Sequence, residues 1–488
     1  HKLLEQFTTP DAWFPENLRG RNRRLLALVV ALGVVSGLLA KLMDLAVEHA
    51  YRGVLLRVLD TQHLDVQLHL DWRLVGLPVV AGLVCGIFLH RSKVPSGPHG
   101  TDVLIHAFHR NGGRISLGKA ILGAALAVVV IAFGASVGKE APIAVLSAAM
   151  GAWVADRAKL SHRERRILLL AGCAAGIGAI FQCPLGAALF AISIVYQGLE
   201  MESDALIPAV IASVVGYATY MSVGGFGDRL LDGTATLAFR HPLELFPYTG
   251  LAGLCAVGAW GFKASLDRIE GWVQSTTIYP WAITAVAGLG VGLLAMVMPH
   301  ITDSRFEFVQ TLLDGVDATT RAQWLGVAAL CMVIVVGKVI ATTAMMGTHC
   351  AGGMFGPILM VGGVLGAAWG ALLTALVPGE FPPELRAALI PVGIAGSLAA
   401  SLRTPLAAVV MVTEMTGSFG LIVPLMLTAS VAYLLGQRWG IYPDQLHDLH
   451  ESPAHAGDPV VRRLETWCAA DLMNTDKSLT IGPATPLS

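Results

Sequence analysis

The sequence predicts an all-α polytopic membrane protein built from two related halves, and three observations carry that reading. Apolar residues make up 55% of the 488 and charged residues 14%, with a mean hydropathy of +0.65; a globular core does not bury that much apolar surface. The apolar runs are long: 25–45, 73–90, 116–136, 164–181, 205–221, 246–265, 280–299, 323–345 and 419–436 each reach or approach the length that crosses the hydrocarbon layer. The third observation is an internal repeat. A shift of 215 carries Gly138 to Gly353 and Pro142 to Pro357, and a shift of 221 carries Gly172 to Gly393 and Pro184 to Pro405. Repeats made of interrupted membrane helices mark transport folds, in which broken helix ends meet near the midplane to hold an ion.

Taken in order, residues 1–24 read as a cytoplasmic segment, 25–222 as a first membrane repeat, 223–245 as a polar connection, 246–450 as a second membrane repeat and 451–488 as a cytoplasmic tail. The stretches 140–155, 184–197, 354–374 and 405–416 are short or rich in Gly and Pro. They are expected to be too broken for simple spans, which is allowed only where the freed backbone lines protein or a wet cavity. Basic clusters at Arg19, Arg21, Arg23 and Arg24, and at Arg157, Lys159, Arg163, Arg165 and Arg166, flank membrane segments. The positive-inside bias puts both on the cytoplasmic side, in a multi-pass protein of the cell membrane. The chain opens on His1 with no signal peptide before its first span, so its start reads as a trimmed cytoplasmic segment.

The formal charge of −1 and pI near 7.0 argue against a nucleic-acid role. Seven cysteines without paired spacing indicate neither a disulfide framework nor a zinc site. An intramembrane enzyme would need a catalytic constellation, and no HExxH occurs. His349 and Cys350 beside the Gly352-Gly353 break make a poor ligand set. No enzyme activity, cofactor or metal is expected.

The chemistry lies where apolar runs hold groups foreign to lipid. Glu140 sits inside the run 121–150, where an ionisable residue costs about 2.5 kcal/mol or more. Lys139 is adjacent and offers neutralisation, but consecutive residues on a helix do not face each other. A Walker A reading of 134–139 fails, because only three residues separate its glycines and Glu140 follows the lysine.

Gly138-Lys139-Glu140-Ala141-Pro142 resembles the GKEGP signature of the CLC chloride channel and transporter family, and Gly353-Met354-Phe355-Gly356-Pro357 resembles its GxFxP signature. The stretch 399–406 with Glu414-Met415-Thr416 resembles the second-half hallmark of that family. Similarity runs from about Leu25 to about His450, in the family's motif order. The resemblance implies two inverted-topology repeats of broken, tilted helices and a homodimer with one pore per subunit. Residues 465–487 resemble the opening of a CBS domain, which at full length would add a nucleotide as partner.

The resemblance implies a chloride-binding pore in which backbone N–H groups at helix N-termini supply positive charge without a tight ionic partner. The amides of Met354 and Phe355 would hold a central anion and those around Gly138, Lys139, Glu140 and Ala141 an outer one. Glu140 would compete with anions as a gate. The family's GSGIP element corresponds to 96–102 here, with Pro98 at the serine position in one register and Ser96 near it in another. A proline there accompanies nitrate preference in the family; a proline in a loop is also a plain turn former. The family's coordinating tyrosine corresponds to Tyr442, with Tyr433 as rival and an interfacial belt tyrosine as the alternative.

Proton-coupled members carry an internal glutamate at positions that correspond to Ser193 and Ile194, neither of which titrates. Glu200 and Glu202 read as loop or membrane-edge acids. These departures favour a glutamate-gated passive channel for chloride or a similar small anion. The alternatives are an anion/proton antiporter with an atypical internal proton route and a nitrate-preferring transporter.

Overall fold

The computed structural model describes residues 16–54, 72–91, 100–225, 231–302, 306–379 and 381–455. Ser96, Pro98 and the CBS-like stretch 465–487 lie outside the described residues. Sixteen α-helices occur among them, with no strand and two isolated bridges, Gly138 with Gly353 and Tyr196 with Leu446.

The first half holds α1 (Glu16–Val54), α2 (Arg73–Arg91), α3 (Asp102–Arg110), α4 (Leu117–Ala132), α5 (Glu140–Arg157), α6 (His162–Phe181), α7 (Pro184–Ser193) and α8 (Ser203–Gly224). The second holds α9 (Leu245–Ser275), α10 (Pro280–Val297), α11 (Glu307–Asp314), α12 (Arg321–Gly347), α13 (Phe355–Leu376), α14 (Pro383–Leu402), α15 (Pro405–Thr416) and α16 (Ile422–Gly436). Among the described residues, eight helical segments are long and apolar enough to cross a membrane. The flanks of α1, α8, α10 and α16 stay exposed at large apolar side chains such as Leu42, Ile207, Leu293 and Leu434, whereas α13 and α14 are buried along most of their length.

The repeat is a repeat of structure. In the first half Gly151 of α5 lies on the Leu168 backbone of α6, and Gly172 of α6 lies on Ser147. In the second half Gly366 of α13 lies on the Leu389 backbone of α14, and Gly393 lies on Gly362. None of the four leaves room for a Cβ, so small residues bring the helix axes close. Each α6-type helix ends on a left-handed residue, Gln182 (φ 56°) and Arg403 (φ 62°), whose N–H reaches Gly178 and Ala399. Pro184 and Pro405 then open α7 and α15, where a missing N–H costs nothing. The two registers arise because α13 and its following loop together outrun α5 and its loop before α14 begins.

One expectation is corrected. The stretch 354–374 is not broken: α13 runs unbroken for 22 residues. Gly362 and Gly366 are there for contact with α14, and a glycine that packs one helix on another does not interrupt either. The chain ahead of α6 and α12 stops at capping boxes, Ser161 with Glu164 and Thr320 with Gln323, which satisfy the first free amides of each helix.

Candidate functional site

The two glycine motifs meet. The Gly138 N–H donates to the Gly353 carbonyl at 2.8 Å, an antiparallel pairing of equivalent positions in the two halves. Immediately beyond it α5 starts at Glu140 and α13 at Phe355. Pro142 and Pro357 each stand third in their helix, among the amides that have no intrahelical acceptor, so their missing N–H forfeits no bond. The free amides at both starts therefore converge on one region. Ala141 fills the remaining space, its Cβ packed where Gly353 could carry none.

Glu140 is 2% exposed, its carboxylate set against the backbone of Gly138 and Gly356. A Cβ at Gly356 would come 2.7 Å from Oε2 and 2.8 Å from Oε1, and one at Gly138 would overlap Oε2. Oε2 has no hydrogen-bond partner within the protein. It adjoins a cavity of about 10 Å³, room for a single water, lined by Val137, Gly138, Phe306, Lys338, Gly356, Pro357 and Met360. Lys338 is 2% exposed and donates to the Ile301 carbonyl at 2.8 Å. A carboxylate oxygen without a protein partner, helix-start amides and a buried ammonium thus lie side by side, and helix-start amides are groups that attract negative charge.

Lys139 makes its ion pair with an acid other than Glu140. Its ammonium pairs with Asp44 of α1, which also accepts from the Tyr220 hydroxyl at 2.8 Å. Met354 stands before the first turn of α13, and Phe355 packs its ring against Phe181 at 5.1 Å and Phe190 at 5.2 Å. Tyr442 is buried beside Thr101, Asp102 and Cys173. Its rival Tyr433 directs its hydroxyl to the Gln197 carbonyl at 3.4 Å. Gly100, where the described chain resumes, lies against Gly352 and Ala141.

At the C-terminal end of α7, the Ser193 hydroxyl donates to the Leu189 carbonyl at 2.7 Å and its own helix absorbs it. Ile194 is fully buried, and its carbonyl accepts from Gln445 at 2.9 Å. The reading of Glu200 and Glu202 as edge acids is corrected for Glu202, which is 8% exposed and accepts from the Tyr196 hydroxyl, with His455 Nε2 2.9 Å away. Those donors offset the cost of burying it. Glu200 is half-buried and accepts from the Leu449 amide.

Sequence reasoning missed Lys338, Asp44 and Thr101. The rule that singles out Glu140, an ionisable group in an apolar run, applies equally to Lys338 in 323–345 and Asp44 in 25–45. Thr101 lies in the 96–102 stretch, whose comparison with GSGIP singles out Ser96 and Pro98. Among the described residues no group of three His, Cys, Asp or Glu could hold a metal.

Comparison with known proteins bears on this geometry. Residues 79–437 match the family described as Voltage gated chloride channel. The chain is 28% identical over 373 residues to a putative chloride channel protein ClcB-like of Ralstonia nicotianae, covering 76% of this chain and 83% of that protein. It is 28% identical over 371 residues to the voltage-gated ClC-type chloride channel ClcB of Citrobacter koseri, covering 75% and 84%. A slow cyanobacterial Cl−/H+ antiporter shares the fold with a TM-score of 0.72 at 18% identity, over 86% of this chain and 96% of that one. A CLC-type fluoride/proton antiporter does so with 0.68 at 20% identity, over 90% and 100%.

Proposed function

This chain belongs to the voltage-gated chloride channel family, and from that premise we propose that it exchanges chloride for protons across the membrane. It is a multi-pass membrane protein of a transport family, with chloride as the anion its family moves. The observation that supports exchange is the seat of Glu140, whose buried carboxylate lies against the same Gly138 and Gly356 backbone that would hold an anion. An ionised Glu140 and an anion compete for those amides, so an anion entering favours protonation and release of the carboxylate. Mutual exclusion of that kind links anion occupancy to proton occupancy.

In this reading the amides at Met354 and Phe355 hold the central anion, those of Gly138 to Ala141 the outer one, and Tyr442 donates from the side. Selectivity between chloride and nitrate belongs to the 96–98 stretch, and assembly is a homodimer with a pore in each subunit. The basic residues from Arg157 to Arg166 mark the cytoplasmic face by the positive-inside bias.

Passive conduction is the second reading, and the observation on its side is the apolar Ile194 and self-satisfied Ser193 where an internal acid is usual in the family. Proteoliposomes carrying the purified protein decide. An imposed chloride gradient should drive protons uphill; chloride flux with no accompanying proton movement leaves the passive channel and removes the exchange reading.

A further inference from the structure

Exchange requires a proton site on the face away from Glu140, and the described residues contain one buried acid that the anion site does not use and whose polar partners suit that role. Asp102, Glu140, Glu164 and Glu202 are the buried carboxylates among them. Asp102 accepts the Asp444 amide, and Glu164 closes the cap of α6. Glu202 is joined to two titratable side chains, with the Tyr196 hydroxyl donating to Oε1 and His455 Nε2 2.9 Å from the same oxygen.

We propose that Glu202 is the internal proton-binding residue of this transporter, standing in for the acid absent at Ser193 and Ile194. The assignment rests on the exchange reading and names its second proton site.

Placement supports it. The Glu202 N–H donates to the Ile192 carbonyl at 3.0 Å, fixing the acid at the end of α7. From there α7 leads back to Phe190, whose ring meets Phe355 at 5.2 Å, and the next residue of α13, Gly356, faces the Glu140 carboxylate. Glu202 and Glu140 thus lie at the two ends of one short structural line, α7 and the start of α13.

The groups around Glu202 come from four elements: Tyr196 from the loop after α7, His109 from α3, Arg166 from α6 and His455 from the C-terminal segment, with Glu200 and Ser452 acting on Tyr196. Burial and the nearby Glu202 push the Tyr196 phenol up, so it remains an O–H donor. Burial pushes the His109 imidazole down, and its nitrogens are taken by Ser452 at 2.8 Å and the Val195 carbonyl at 2.8 Å. Arg166 is held by the carbonyls of Phe108 at 3.0 Å and Ala454 at 2.8 Å. With Oε1 already accepting, the transferred proton sits on Oε2. It arrives from water on the C-terminal side and leaves toward Glu140 while anion moves the other way, and no covalent bond to carbon changes.

The test is a Glu202→Gln variant of the full chain in proteoliposomes, with chloride flux and proton flux recorded together. Proton flux should fall by about tenfold or more while chloride flux persists, and Glu202→Asp should restore proton flux. A Glu202→Gln protein with the wild-type proton-to-chloride ratio overturns the assignment and leaves exchange standing; a wild-type protein that moves no protons sinks both. If Glu202→Gln also loses chloride flux, His455→Gln decides. An altered dependence of proton flux on pH at the C-terminal face supports the assignment, and an unaltered one overturns it.

Discussion

Lys139 gives its charge to Asp44, a residue of the first helix, and not to Glu140 beside it in sequence. Each side chain of the pair is 20% exposed. The contact ties the outer glycine motif to α1. Substituting Asp44→Ala strands the ammonium and the Tyr220 hydroxyl together. The variant should lose about 2–3 kcal/mol of stability, read as a lowered midpoint of unfolding in detergent; an unmoved midpoint would show that the pair does not hold the motif.

Glu140→Gln should mimic the protonated gate. In the wild-type protein ionisation at high pH keeps the carboxylate on the amides, and protonation as pH falls frees them, so anion flux rises toward acid. The glutamine variant should give flux at or above the acid-side level with little slope across pH, measured as chloride efflux from vesicles. A wild-type slope in the variant removes Glu140 as the gate.

Gly356 sets how closely that carboxylate can approach. An alanine Cβ would stand 2.7 Å from Oε2, inside contact distance, so Gly356→Ala should displace Glu140 and raise flux at neutral pH. Adding Gly356→Ala to Glu140→Gln should change flux much less than it does alone, because the two act on one contact. Full additivity in the double variant argues for a separate effect on α13.

Bromide soaked into crystals should give anomalous density at the amides of Met354 and Phe355. Tyr442→Phe removes one donor worth about 1 kcal/mol, so the apparent affinity for chloride should drop roughly fivefold. Density only beside Lys139, with none at the start of α13, refutes the central site.

The two glycine motifs, the proline-led helices α7 and α15 and the ionisable residue in the first motif are local in sequence, and so they were legible there. The contacts that give these residues their surroundings are not local. Asp44 reaches Lys139 across 95 residues, and His455 reaches Glu202 across 253. No pattern along the chain announces that an acid just past α7 will be roofed by the C-terminal segment, so an edge position was the natural expectation for Glu202. The glycines of α13 misled for a related reason. A glycine that breaks a helix and one that admits a neighbouring helix look the same until the neighbour, here Gly393, is in place.

The bond between Gly138 and Gly353 also expresses a symmetry. Equivalent residues that pair antiparallel must lie on either side of a two-fold axis, and for halves of opposite orientation that axis lies in the plane of the membrane. Two identical half-length chains, each free to insert either way up, would meet through this same peptide contact and bring both helix starts together without any linker. A homodimer of that kind would already bring both helix starts together. In one chain each glycine motif is free to differ, and Glu140 in one half stands where Phe355 stands in the other.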